Sequence, residues 1–289
     1  MGHKVNSTSL RLRNNWDSFW FTDSKKIKKE WVFQDLAIKN YIERILLTQN
    51  SFLVGFNVLR NSASCIVFFK FYTWKNRTSR LINAKAKKTK KLMRLQKYRN
   101  LVPITFLKKH ISKKLNQFFP ANTFFIKSKE VKYGLKRVNA GLLRFKHYNS
   151  FKDIYRFVGA SFNTLSVDLL ALGISKFLSL TPRHNYLLLL IKNIAFYFFK
   201  RNLKNSRIKG FKIEVNGKLN GSDRTKKKII SKGALPLSSI NSNIVYKYVE
   251  SHTRYGVFGI KVWFFLYNNV FYTNRIINFT NFTKFLTKN

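Results

Sequence analysis

From residue 44 to residue 129 the chain carries no aspartate or glutamate, while Lys and Arg recur throughout that span. A surface made from it cannot be held by balanced ion pairs; it is solvated, disordered or packed against phosphate. The whole chain extends the point, with 56 Lys and Arg against 11 Asp and Glu, a formal net charge of +45. A free globular protein with that charge repels itself, which calls for a polyanion to neutralise it. Nucleic acid is the first candidate and an anionic membrane surface the second. The 289 residues suffice for two ordinary domains, and a 45% hydrophobic content rich in Phe supplies their cores.

The residues that carry chemistry are scarce. Cys65 is the single cysteine, so neither an intrachain disulfide nor a thiolate metal site can form, and its run "SASCIVFFKFY" reads as a buried strand. His3, His110, His147, His184 and His252 share no metal-ligand spacing. "GKLNGSD" lacks the order of a phosphate-binding loop. Glu214 and Asp223 flank a loop and could in principle hold Mg²⁺ in a nuclease, but Glu214 sits on an alternating strand and is expected to pair with a lysine. No enzyme and no cofactor are expected. "NYLLLLIKNIAFYFFK", residues 185 to 200, is the most apolar stretch; Lys192 and Asn193 interrupt it and it is shorter than the ~20 residues of a span, so a buried amphipathic helix is expected there.

The chain is expected to be α+β. Residues 1 to 31 read as a basic arm with aromatic anchors at Trp16, Phe19, Trp20, Phe21 and Trp31. Leu36, Ile38, Tyr41, Ile42, Ile45 and Leu46 recur at helical spacing and predict a helix over about 34 to 48. "SFLVGFNVLR" and "SASCIVFFKFYTW" predict two strands joined at "RNSA". After Trp74 a basic low-complexity stretch begins, and "TFFIKSKEVKY" is a candidate strand beyond it. Helices are predicted over about 166 to 179, with Asp168 favouring the dipole at its start, and over about 185 to 204. The strands "GFKIEV", "NIVYKYVES" and "GVFGIKVWFFLYN" then complete a two-layer α/β sandwich.

Between the first two of those strands lies "NGKLNGSDRTKKK". Glycines there permit a tight path, backbone N–H groups can face phosphate oxygens, and the cations neutralise phosphates and release counterions. A lysine run after a strand is also, in many proteins, simply a solvated loop.

Three stretches in register shift that balance. "GFKIEVNGKLNGSDR", "GALPLSSINSNIVYKY" and "SHTRYGVFGIKVWFF", together with the opening "MGHKVNSTSLRL", "WDSFWF" and "DLAIKNYI", resemble the universal third protein of the small ribosomal subunit in a divergent organellar form. The resemblance covers about 1 to 72 and 166 to 268. It implies a KH-like (type II) domain at 32 to 135, with a divergent basic insertion at about 75 to 120 that lacks the family's Gly-x-x-Gly loop. It also implies a linker or insertion at 136 to 165, a C-terminal α/β domain at 166 to 270 and a tail at 271 to 289.

The same resemblance implies contact with small-subunit rRNA in the subunit's head and with mRNA where it enters the ribosome, beside the tenth and fourteenth small-subunit proteins. It puts Lys218, Arg224, Lys226, His252 and Arg254 in matched stretches near RNA, and Lys192, Lys200 and Arg201 on the helix that faces incoming mRNA. Lys227, Lys228, the insertion's Lys85, Lys87, Lys88, Lys90 and Lys91, and the arm's Lys4, Arg11 and Arg13 complete the candidate rRNA contacts. No membrane span and no homo-oligomer are expected. Abundant Phe, Lys, Asn, Ile and Tyr match A/T-rich codons, and the first methionine aligns with the family's start. The expectation is therefore an organelle-encoded protein, and the long divergent insertion favours the mitochondrion over the plastid.

Overall fold

In the computed structural model, residues 6–7, 9–14, 20–48, 51–60, 64–74, 104–119, 123–131, 151–204 and 207–267 are described. They fall into two units, one formed by Trp16–Lys132 and the other by Met1–Asn15 together with Tyr133–Asn289.

In the first unit a long helix α1 (Lys25–Thr48) precedes strands β1 (Ser51–Arg60) and β2 (Ser64–Thr73), then helix α2 (Ile104–Phe118) and strand β3 (Thr123–Glu130). The sheet order is β1-β2-β3, with β1 and β2 antiparallel and β2 and β3 parallel. Ile38, Ile42 and Leu46, spaced one helical turn apart, face Phe56, Val58, Val67, Phe69 and Phe71 of the strands and Ile111 and Leu115 of α2. Cys65 is buried in this core, and burial pushes its thiol up to about 12, so it is inert at neutral pH.

α1 starts earlier than the expected residue 34, inside what read as the arm. A polar cluster accounts for the extra turns. Arg60 lies over the Trp31 ring at 5.6 Å and donates to Asp35 from Nε (3.0 Å) and to Gln34 (2.9 Å). The Trp20 indole donates to the second Asp35 oxygen at 2.9 Å and meets Trp31 edge-on. Two of the expected aromatic anchors are thus packed, whereas Phe21 is 83% exposed. Trp16, Phe19 and the lysines at 85 to 91 lie outside the described residues.

The second unit stacks three helices on one sheet. The helices are α3 (Phe151–Thr164), α4 (Val167–Leu180) and α5 (His184–Lys204), and the strands are β4 (Ile208–Gly217), β5 (Lys226–Gly233), β6 (Ile244–Thr253) and β7 (Gly256–Leu266). The antiparallel order β5-β4-β7-β6 makes β5 and β6 the edges. Phenylalanine fills the interface between layers: the Phe162 ring lies 5.4 Å from Phe211 and 5.1 Å from Phe264. α4 is capped by the Ser166 hydroxyl, which accepts from the Leu169 N–H at 3.2 Å.

α3 corrects the linker expected at 136 to 165. Its Ile154, Phe157, Val158 and Phe162 are buried, and it belongs to the core of this unit. Gly173 of α4 lets the Phe157 ring approach so closely that a Cβ there would lie 1.8 Å from it. The expected arm is corrected too, because its first part docks on this unit. Trp263 of β7 donates to the Ser7 hydroxyl, and Arg11, 3% exposed, donates to the carbonyls of Leu237 (2.9 Å), Ser239 (2.6 Å) and Ser7 (3.2 Å).

Candidate nucleic-acid interface

The loop that leaves β4 is held from below by apolar and polar anchors. Leu219 is buried, and a short 3-10 turn (Leu219–Gly221) follows, with Asn220 at φ 56° and Gly221 at φ 75°. Asn tolerates the left-handed region better than most residues, and Gly does so freely. A Cβ on Gly221 would stand 3.0 Å from the Tyr255 ring, so the glycine also admits the β6–β7 turn. The Asn220 side-chain oxygen accepts from the backbone N–H groups of His184 (2.7 Å) and Asn185 (3.3 Å), capping α5 from another element. In return the Asn220 N–H donates to His184 Nδ1 at 3.1 Å.

His184 is 1% exposed, and its ring meets Tyr255 and Phe258 edge-on at 5.6 and 4.9 Å. Burial holds its pKa below the ordinary value; the carbonyls of Leu178 and Thr181 pull the other way, and the Arg254 charge adds to the lowering. Around this apolar joint Arg183, Lys218, Arg224, His252 and Arg254 are exposed. The structure therefore ties together, through His184, Asn220 and Tyr255, the loop and the turn that the sequence offered as separate candidates.

A second group forms along the sheet edge. Lys226, Lys227 and Lys228 are not loop residues as expected but open β5, in register with Gly217, Asn216 and Val215 of β4. Alternation along a strand sends them to opposite faces. Lys227 turns toward the helix-free face, where its Nζ is 2.8 Å from Glu214. Lys226 and Lys228 share the parity of Lys232, whose Nζ lies 4.6 Å over the Phe196 ring of α5. Lys192 approaches the same ring at 5.7 Å. Lys192, expected on the helix that faces mRNA, thus shares Phe196 with Lys232, and Lys200 and Arg201 are exposed further along α5. Lysines on an edge strand also block pairing with foreign strands, a role compatible with phosphate contact.

Other candidates fall elsewhere. Arg11 is buried on backbone carbonyls and is corrected as a phosphate contact. Arg13 lies in a 3-10 turn (Ser9–Asn14), and Lys4 lies outside the described residues. Glu214, 5% exposed, is engaged by Lys227, Lys212 and Asn216, whereas Asp223 is exposed on the loop. Among the described residues no group of three His, Cys, Asp or Glu could hold a metal, and no helix is long and apolar enough to cross a membrane.

Sequence reasoning passed over His184, Asn220, Tyr255, Phe196 and Lys232. Asn220-Gly221 was legible as a turn pair, but its partner His184 lies 36 residues away and nothing local signals the contact.

A family model described as "Ribosomal protein S3, C-terminal domain" matches residues 192–264, which run from α5 to the end of β7. Small ribosomal subunit protein uS3c of Chara vulgaris is 50% identical over 62 residues, 22% of this chain and 28% of the relative. That of Emiliania huxleyi is 42% identical over 65 residues, 22% of this chain and 30% of the relative. Small ribosomal subunit protein uS3 of Borrelia duttonii is 26% identical over 267 residues, 92% of this chain and 75% of the relative. The matched segments thus span less than a third of the uS3c relatives and three quarters of the bacterial one.

Proposed function

We propose that the chain is a member of the ribosomal protein S3 family and a non-enzymatic structural constituent of the small subunit of an organellar ribosome, where it binds small-subunit rRNA. The observation that carries the reading is the exposed cationic end of the second unit, where Lys218, Arg224 and Arg254 lie in a loop and a turn joined through the buried His184. Cations of this kind neutralise phosphates without a sequence code and suit folded RNA. The edge at Lys192, Phe196 and Lys232, continued by Lys200 and Arg201, is assigned to mRNA as it enters the subunit.

The α-β-β-α-β order of the first unit, with β2 and β3 parallel, supports the KH-like (type II) reading. Its basic insertion, Lys85 to Lys91, is assigned to rRNA, and the partners are the tenth and fourteenth proteins of the subunit's head. The A/T-codon composition favours an organelle genome, and the long divergent insertion favours the mitochondrion. The segments that are 50% and 42% identical belong to uS3c proteins and favour the plastid, so organelle fractionation is part of the test.

The test is sedimentation of organelle lysate through sucrose at moderate and high salt, probing for this chain beside small-subunit rRNA. Co-migration that survives high salt is expected. Migration at the top of the gradient would refute the assignment.

A further inference from the structure

We propose that His184 is a positioning residue for RNA binding: its neutral ring locks the β4–β5 loop to the start of α5, and a proton on the ring releases Lys218 and Arg224 from their fixed places. The consequence for RNA rests on the function proposed above; the joint itself rests on geometry.

The Asn220 N–H donates to His184 Nδ1, so that nitrogen must carry a lone pair. A proton added there would set two donors face to face at 3.1 Å. The ring cannot readily turn away, because it is 1% exposed and wedged edge-on between Tyr255 and Phe258. Losing this bond also loosens the reciprocal half of the joint, in which the Asn220 side chain caps the first turn of α5.

The groups that act on the ring come from each packed element. The Leu178 and Thr181 carbonyls at the end of α4 favour a proton, Arg254 of the β6–β7 turn opposes one, and Tyr255 and Asn220 complete the surround. Arg183 is the adjacent cation on the chain itself. Burial tips the balance to the neutral ring at neutral pH.

Simple electrostatics gives the opposite sign. A proton beside Lys218 and Arg224 adds positive charge and should tighten RNA binding as pH falls. A joint that needs a neutral ring makes binding weaken instead.

The experiment uses the full chain at about pH 7.5 and about pH 5.5, on either side of the ordinary histidine pKa. It reads amide hydrogen exchange over residues 218 to 224, corrected for intrinsic rates, and affinity for a labelled RNA hairpin at fixed ionic strength. In the wild type, acidification should speed loop exchange roughly tenfold, the equivalent of one pKa unit of coupling, with a matching loss of affinity. His184→Asn keeps an oxygen that can accept from Asn220 and does not titrate, so its loop should stay protected and lose the pH response. His184→Phe fills the space without an acceptor and should exchange fast at both values.

Loop exchange indifferent to pH in the wild type, or a His184→Asn chain with the wild-type response, would overturn the joint. Exchange that responds as expected while RNA affinity stays level would leave the joint standing and remove Lys218 and Arg224 from the RNA contacts. Affinity that rises on acidification would overturn the coupling.

Discussion

Replacing Glu214 by Gln keeps the shape of the side chain and removes its charge, which tests both the stability and the RNA reading of the second unit. The carboxylate is 5% exposed, with Lys227 Nζ 2.8 Å from one oxygen and Lys212 Nζ 3.4 Å from the other. Burial by itself would raise its pKa, but the hydrogen bond from Lys227, the charges of Lys212 and Lys227 and the Asn216 amide outweigh it and hold the carboxyl below its usual range. Breaking a well-buried pair on one side costs ~3–5 kcal/mol. Here the Lys227 side chain is 53% exposed and that of Lys212 19%, so water screens much of the loss and about 1–2 kcal/mol remains. For a unit of this size that lowers Tm by about 3–6 °C.

The same substitution frees Lys227 on the helix-free face. Its affinity for RNA should therefore rise at low salt, and the slope of log K against log salt should steepen by up to about 0.7–0.9, the value of one further phosphate contact. The pH dependence has a definite sign. A carboxyl whose folded pKa is lowered contributes stability that is present above its unfolded value and lost as pH falls through the folded one. The wild type should lose that increment in acid, and Glu214→Gln should be flat there. Thermal unfolding followed by near-ultraviolet circular dichroism, and filter binding across a salt series, measure the two effects. An unchanged Tm together with an unchanged salt slope would refute the reasoning.

Asp35→Ala in α1 leaves the buried Arg60 guanidinium without its anion and should destabilise the first unit by about 3–5 kcal/mol in chemical denaturation. Gly173→Ala gains ~1 kcal/mol of helix propensity but sets a Cβ 1.8 Å from Phe157, and overpacking of ~1–3 kcal/mol should win, giving a lower Tm. Arg11→Met removes three bonds to carbonyls and should speed hydrogen exchange over residues 237 to 243. It should leave the RNA salt slope unchanged, because a buried guanidinium counters no phosphate.

Much of the fold could be read from local pattern, and the failures share a cause. The strands Ser51–Arg60 and Ser64–Thr73 and the helices Val167–Leu180 and His184–Lys204 follow their periodicity to within a residue or two of expectation. α3 was missed because its small and polar members, Gly159, Ser161 and Asn163, dilute a pattern that only packing against α4 and α5 makes apparent. The early start of α1 places Trp31 and Asp35 on one helix against Arg60 at the end of β1, a contact that no helical spacing reveals. Lys226 to Lys228 looked like loop because charge masks a strand whose pairing with β4 comes from backbone bonds. At the candidate interface the exposed cations were legible one by one. Their grouping was not, because it depends on His184 and Phe196, which are separated in sequence from the residues they join.

The placement of the carboxylates explains why the cationic surface is left open. Asp35 holds Arg60, Glu214 holds Lys212 and Lys227, Asp168 meets Lys247 at 3.2 Å, and Glu250 accepts from the Tyr248 hydroxyl at 3.1 Å. These few anions act within the folded units, two of them in buried sites where an unpaired partner would be costly. The cations at Arg183, Lys218, Arg224 and Arg254 gain no comparable anion in the loop and turn that carry them, beyond the exposed Asp223. Their mutual repulsion is tolerable only because the joint beneath them is made of apolar rings and neutral hydrogen bonds, which do not depend on charge balance. An end rigid without an anion, yet surrounded by cations, is already organised for phosphate before RNA arrives, and little ordering has to accompany binding.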